Sequence, residues 1–186
     1  STIEGLNVRV VENLTYESVL LKVKALAYQM KHEWHLKPKD RVILCFPPGT
    51  DFLVAFLGCL WAGVIAVPVP APRPDKLDLD LPKMQHVLKD SGARAVLTTT
   101  GYLWSMRAHG FLHAIKGMVS CKRQRAGCCD RLDGVSWYST TGIRAADYAS
   151  LVASELPVPS SHDTAFLQYT SGSTADPKGV VITHSS

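Results

Sequence analysis

The sequence is short of charge and lacks paired cysteine spacing, and each absence removes a class of protein. Charged residues make up 19% of the 186-residue chain and the formal net charge is +4. The small basic excess is concentrated between residues 101 and 150. A nucleic-acid binder would carry a stronger and more continuous basic face. The five cysteines are odd in number, and Cys45 and Cys59 lie inside apolar runs. Cys128 and Cys129 are adjacent and Cys121 stands alone, whereas a zinc site wants cysteines paired two to four residues apart, so no metal site is expected. No secretory leader opens the chain, which makes a reduced, cytoplasmic setting the expectation. Repeats and low-complexity tracts are also missing. With 46% hydrophobic residues the chain can bury one core of ordinary size, which excludes a disordered tail or a disulfide-stapled mini-protein.

One uncharged run, Phe52 to Val69, covers 18 residues, near the lower length for a membrane span. A helix followed by a strand accounts for it better. Thr50 and Asp51 suit a helix start, Gly58 and Gly63 interrupt the run, and Val64, Ile65, Val67 and Val69 are β-formers that end in prolines. A membrane-associated protein built on this run is the weakest of three functional readings; recovery in the soluble fraction without detergent would discard it.

From Thr15, a candidate N-cap, apolar residues recur at helical spacing through Met30 and Trp34, and Pro38 closes the segment. Arg41 to Phe46 reads as a strand, Thr50 to Ala62 as a helix and Val64 to Val69 as a second strand, the signature of a parallel crossover. A proline-rich connection follows, and Pro82 suits the first turn of a helix running to Ser91 and stopped by Gly92. Ala95 to Thr99 resembles a third strand, and Leu103 to Lys116 a helix. Between Met118 and Arg131 neither period holds, so a loop or insertion is expected there. The alternation predicts an α/β fold, a parallel sheet with crossover helices, whose ligands sit at the carboxyl ends of the strands. On the second helix, Phe56, Leu60 and Trp61 are expected in the core.

After a linker from Glu155 to His162, the strand Thr164 to Tyr169 leads into Thr170, Ser171, Gly172, Ser173, Thr174, Ala175, Asp176, Pro177, Lys178 and Gly179, and a strand from Val180 to Thr183 follows. Hydroxyls, two glycines and a lysine packed so closely can converge backbone N–H groups, O–H groups and one cation on phosphate oxygens. The spacing is neither that of a Walker A loop nor Gly-x-Gly-x-x-Gly. Serine, glycine, aspartate and proline are also turn residues in their own right, so a polar turn at a β-hairpin stays open beside the phosphate-loop reading.

The stretch Tyr169-Thr-Ser-Gly-Ser-Thr-Ala-Asp-Pro-Lys-Gly-Val180 resembles the phosphate-loop signature of the acyl-adenylate-forming (AMP-dependent synthetase/ligase) superfamily. Leu14-Thr15-Tyr16, Lys39-Asp40-Arg41-Val42 and Phe52 to Pro70 resemble further parts of it, so the likeness covers nearly all of residues 1–186 apart from about 104 to 145. Phe166-Leu167-Gln168-Tyr169, Leu81-Pro82-Lys83-Met84 and Val96-Leu97-Thr98-Thr99 are most similar to fatty acyl-AMP ligases and polyketide-synthase loading domains.

The resemblance implies an enzyme that activates a fatty acid with ATP and Mg2+ and passes the acyl group to the thiol of an acyl carrier protein or of CoA. Thr170, Ser171, Gly172, Ser173 and Thr174 would hold phosphates, assisted by Lys178 and Gly179. His184 matches a histidine common after this loop, with a helix-entry, pocket-floor or substrate role. Ala175 departs from the family, which has a second glycine there; at positive φ its methyl group would add strain of roughly 1 kcal/mol. The family's adenine-binding segment, acidic magnesium ligand, ribose-binding aspartate and catalytic lysine are expected beyond Ser186. The chain therefore reads as an amino-terminal part of the AMP-binding domain, inactive in isolation. The alternative of a different class is a non-enzymatic binding module of the same fold.

Overall fold

The computed structural model describes residues 14–73, 76–108, 128–132, 135–143, 159–170 and 177–186. Helix α1 (Tyr16–His32) begins at the expected cap: the Thr15 hydroxyl accepts from the Ser18 N–H at 3.2 Å, and the Ser18 hydroxyl accepts from the Thr15 N–H at 3.0 Å. This reciprocal pair satisfies two donors that a helix start leaves open. The helix stops at His32, short of the apolar residue Trp34, which is buried beyond the cap and stacks on Tyr138 with ring centroids 4.4 Å apart.

Strand β1 (Arg41–Phe46), helix α2 (Thr50–Ala62) and strand β2 (Ile65–Pro70) follow, with β1 and β2 parallel from Arg41↔Ile65 to Phe46↔Pro70. The uncharged run therefore folds as two elements, divided at Gly63, whose φ of 70° only a residue without Cβ adopts readily. Among the described residues no helix is long and apolar enough to cross a membrane.

Helix α3 (Leu77–Ser91) begins five residues before the expected start, so Pro82 lies inside it. Proline there removes only one early intrahelical bond, to the Asp78 carbonyl, which the first turns tolerate better than a helix centre would. Strand β3 (Ala95–Thr98) and helix α4 (Thr100–Ala108) come next. Helix α4 starts three residues earlier than expected because the Thr99 hydroxyl accepts from the Tyr102 N–H at 3.2 Å, a side-chain cap. Residues 109–116 of the expected helix lie outside the described residues.

The expected loop over 118–131 needs correction at its end. Residues 118–127 lie outside the described residues, but β4 (Cys128–Leu132) is a strand antiparallel to β5 (Val135–Ser139). Strands β6 (Thr164–Thr170) and β7 (Lys178–Thr183) close the chain as an antiparallel pair. The seven strands among the described residues run in the order β4-β5-β3-β1-β2-β6-β7, with five parallel strands inside and an antiparallel strand at each end of that order.

Side chains of alternate parity build two cores. Val42, Leu44, Phe46, Ala66 and Leu97 pack with α1 and α2 on one face; Ile43, Cys45, Val67 and Val96 pack with α3 and α4 on the other. A strand covered on both faces has no polar side, which is why Val42–Phe46 reads as an unbroken apolar run. The helices leaving neighbouring β1 and β2 go to opposite faces, so the chain diverges at the carboxyl ends of these strands, the usual place for a ligand in such a sheet.

Phe56 is half-buried and meets Phe166 edge-on at 5.3 Å, and Leu60 is half-buried too. Trp61 departs from the expected core placement. It is 41% exposed, with the Lys24 ammonium 5.4 Å from its ring.

Candidate functional site

Thr170 and Lys178 face each other in the β6–β7 register, and one step further from the turn Tyr169 faces Gly179. The serine- and glycine-rich stretch thus leaves β6 after Thr170 and returns through Pro177 into β7. Of the expected phosphate-binding residues, Thr170, Lys178 and Gly179 stand at this stem, all exposed. Ser171, Gly172, Ser173 and Thr174, with Ala175, lie outside the described residues. The hairpin expected from turn chemistry is present, and it is compatible with either reading of the loop.

Gly179 owes its identity to packing. A Cβ there would stand 3.0 Å from Cζ and 3.2 Å from the hydroxyl oxygen of Tyr169. The ring lies across the glycine, and its hydroxyl donates to Asp90 Oδ2 of α3 at 2.5 Å. Burial, and then the Asp90 carboxylate, push the Tyr169 phenol up to about 12, so it stays a protonated donor at any physiological pH. Nothing in the sequence signalled this contact: its partners are 79 positions apart.

The opposite end of the hairpin is fastened to the turn that precedes β1. Asp163 accepts from the Ser160 N–H at 2.9 Å and pairs with Lys39 at 3.0 Å. These two contacts hold its carboxyl below the usual carboxylate range. The His184 N–H donates to the Asp163 carbonyl at 3.1 Å, and the His184 side chain is exposed beside it.

Beside the stem lies a cavity of about 430 Å³. Its walls are the end of β2 (Pro68, Val69, Pro70), one side of α3 (Lys83, Met84, Val87) and Tyr169, Thr170 and Pro177 of the hairpin. Arg73 and Asp80 also line it, and the Asp80 carboxylate accepts from the Arg73 N–H at 3.2 Å and from its Nε at 3.5 Å. The site thus combines an apolar floor, polar groups at the rim and a hydroxyl-bearing loop stem, at the carboxyl ends of β2 and β6. That is the composition of a small-molecule site. No cluster of three or more histidine, cysteine, aspartate or glutamate residues able to hold a metal is found among the described residues.

The family model for "AMP-binding enzyme" matches residues 6–186. The chain belongs to this family. Among AMP-binding enzymes it is 31% identical over 174 residues to a medium-chain-fatty-acid–[acyl-carrier-protein] ligase of Moorena producens, covering 94% of this chain and 26% of the relative. It is 33% identical over 173 residues to a long-chain-fatty-acid–AMP ligase of Mycobacterium tuberculosis, covering 93% and 26%. The fold matches a fatty acyl-adenylate ligase of L. pneumophila, solved in complex with acyl adenylate and pyrophosphate, with a TM-score of 0.72 and 32% identity over 96% of this chain and 26% of that one. This AMP-binding chain thus spans about a quarter of the length of the relatives it matches.

Proposed function

We propose that this chain is the amino-terminal part of the AMP-binding domain in a fatty acyl-AMP ligase. The observation that carries the reading is the hairpin stem: Thr170 and Lys178 frame a Ser-Gly-Ser-Thr stretch at the carboxyl edge of the sheet, against an apolar-floored cavity. The similarity to ligases named for fatty acids supports the substrate class.

In the reaction, a carboxylate oxygen of the fatty acid attacks the α-phosphorus of ATP. A new O–P bond forms, the bond to the β-phosphate breaks, and pyrophosphate leaves. The acyl group of the adenylate then passes to a thiol of a carrier protein or CoA, releasing AMP. What the protein must supply in the first step is restraint and charge compensation for the departing pyrophosphate. In this reading the N–H and O–H groups of Thr170, Ser171, Gly172, Ser173 and Thr174 serve as the donors, and Lys178 as the cation. Gly179 supports them by admitting the Tyr169 ring. Mg2+ enters this reading as the companion of ATP, bridging its phosphate oxygens. A cytoplasmic setting, where ATP is plentiful, belongs to the same reading.

The test is ATP–pyrophosphate exchange by the full-length protein that carries this chain, with dodecanoate as probe acid. Ser171→Ala combined with Lys178→Ala is expected to slow exchange about tenfold or more. Unchanged exchange in that variant would overturn the phosphate-loop assignment. Absence of exchange with every fatty acid offered would leave the non-enzymatic binding module as the better reading.

A further inference from the structure

We infer that Tyr169 is a positioning residue for the phosphate loop, acting through the hydrogen bond from its hydroxyl to Asp90 and through its ring across Gly179. The inference rests on the reading of residues 170–179 as phosphate-binding and deepens it.

Three observations converge on this tie. The first is where β6 loses its other support. Along β2 the register with β6 is set at Ala66↔Phe166, and above that level β2 carries Pro68 and Pro70, which have no N–H to donate to a neighbouring strand. On its other side β6 pairs with β7, beyond which no strand lies among the described residues. On the β2 side, the end of the hairpin that carries the loop therefore has few ladder bonds to hold it.

The second is the choice of partner. Asp90 is the last residue but one of α3, where the helix dipole disfavours a carboxylate and favours a cation. A donated hydroxyl at 2.5 Å offsets that placement, since hydrogen bonds to a charged acceptor are the short, strong ones. The helix end is itself fixed, because Met84, Val87 and Leu88 of α3 are buried in the core beneath it.

The third is Gly179. Its missing Cβ gives the Tyr169 ring its seat, with 3.0 Å between the ring and the position a Cβ would take. Ring, glycine and carboxylate thus locate one atom, the Tyr169 hydroxyl, relative to the core. Tyr169 precedes the stem pair Thr170↔Lys178 by one residue, so locating it sets the direction in which the loop leaves the sheet. A loop whose donors must meet pyrophosphate within a few tenths of an ångström needs such a support outside the contacts themselves.

The experiment compares wild type, Tyr169→Phe, Asp90→Ala and the double variant in the full-length protein, by ATP–pyrophosphate exchange with dodecanoate and by thermal unfolding. Tyr169→Phe keeps the ring on Gly179 and removes only the donor. The expected result is a KM for pyrophosphate raised roughly threefold to tenfold in each single variant, the fold-change one such bond supports. The double variant is expected to be no worse than the worse single one, and Asp90→Asn, which keeps an acceptor, to recover most of the loss. A purely structural role would lower the melting temperature and the active fraction while leaving KM unchanged, and that result overturns the inference. Equal KM and equal stability in all variants overturns it too, with the phosphate-loop reading intact. No exchange by the wild type removes both.

Discussion

Strands β1 and β7 are both six residues long and rich in β-branched and apolar side chains, yet one is buried at every position after Arg41 and the other is mostly exposed. Val42, Ile43, Leu44 and Cys45 of β1 have no exposed surface, whereas Val180 and Val181 of β7 are 47% and 59% exposed. Composition does not separate them. Position in the sheet does: among the described strands β1 is the fourth of seven, with neighbours on both sides and helices on both faces, and β7 stands at the edge beside β6. An apolar strand is a claim on cover, and how many of its sides are covered is a property of the topology.

The sharpest way to break this comparison is to remove the same kind of side chain from each strand. Leu44→Ala leaves a cavity between β1 and the helices on its face, and a loss of about 2–5 kcal/mol is expected in urea unfolding. If Leu44→Ala cost no more than a surface substitution, the two-faced core would not be what holds the sheet together.

Within the hairpin, Gly179→Ala is expected to cost about 1–3 kcal/mol, because the methyl group must displace the Tyr169 ring and with it the bond to Asp90. In a Tyr169→Ala background the same change meets no ring, and its cost should vanish. A penalty that persists there would place the origin elsewhere than in the ring.

Much of this was legible in the sequence, and the parts that were not have one cause. The period and caps of α1, the apolar run of β1, the break at Gly63 and the parallel β1–β2 pair all depend on residues within a few positions of one another. The start of α3 was misplaced because Pro82 signals a first turn, while the chain accepts it five residues in. The strand at Cys128–Leu132 was missed because an edge strand paired on one side needs no alternating pattern. At the candidate site the loop composition was readable, but the Tyr169–Asp90 bond and the cavity beside it join β2, α3 and β6, and only the folded sheet brings these together. Trp61 shows the converse: an aromatic at core spacing on α2 that the packing leaves half in solvent.

Two glycines sharpen the same distinction between residues placed by backbone and residues placed by neighbours. Gly92 caps α3 at φ +59°, with the Arg41 guanidinium 3.2 Å from where a Cβ would stand. Gly92→Ala is expected to destabilise by about 1 kcal/mol in thermal unfolding. Gly101 lies in α4 with nothing within 4 Å of its Cβ position, so Gly101→Ala should stabilise by up to about 1 kcal/mol. Equal effects at the two would mean that neither the left-handed cap nor the helix position governs the outcome.

The hairpin tie also has a pH signature. A tyrosine whose phenol is raised from its ordinary 10 to about 12 on folding binds its proton more tightly in the native state, so its contribution is full below pH 10 and is lost as the pH climbs through 12. The stability difference between wild type and Tyr169→Phe should therefore be constant from pH 7 to 9 and shrink above 10. A difference that holds level to pH 12 would show that the hydroxyl is not the group responsible.

The smallest expected effect closes the comparison between β1 and β7. Val181→Thr keeps a β-branched side chain in an edge strand, and because the valine is 59% exposed the change in unfolding free energy should stay within about 0.5 kcal/mol. Its consequence should appear instead in association. Val180 and Val181 present adjacent apolar side chains on a strand whose outer edge has no partner among the described residues, which is the arrangement that recruits other strands. Light scattering of the isolated chain should fall when Val181 becomes threonine, more so with Val181→Lys, while the unfolding midpoint stays put. A lowered midpoint with unchanged scattering would mean that β7 is buried in solution after all, and that the contrast with β1 is smaller than the fold implies.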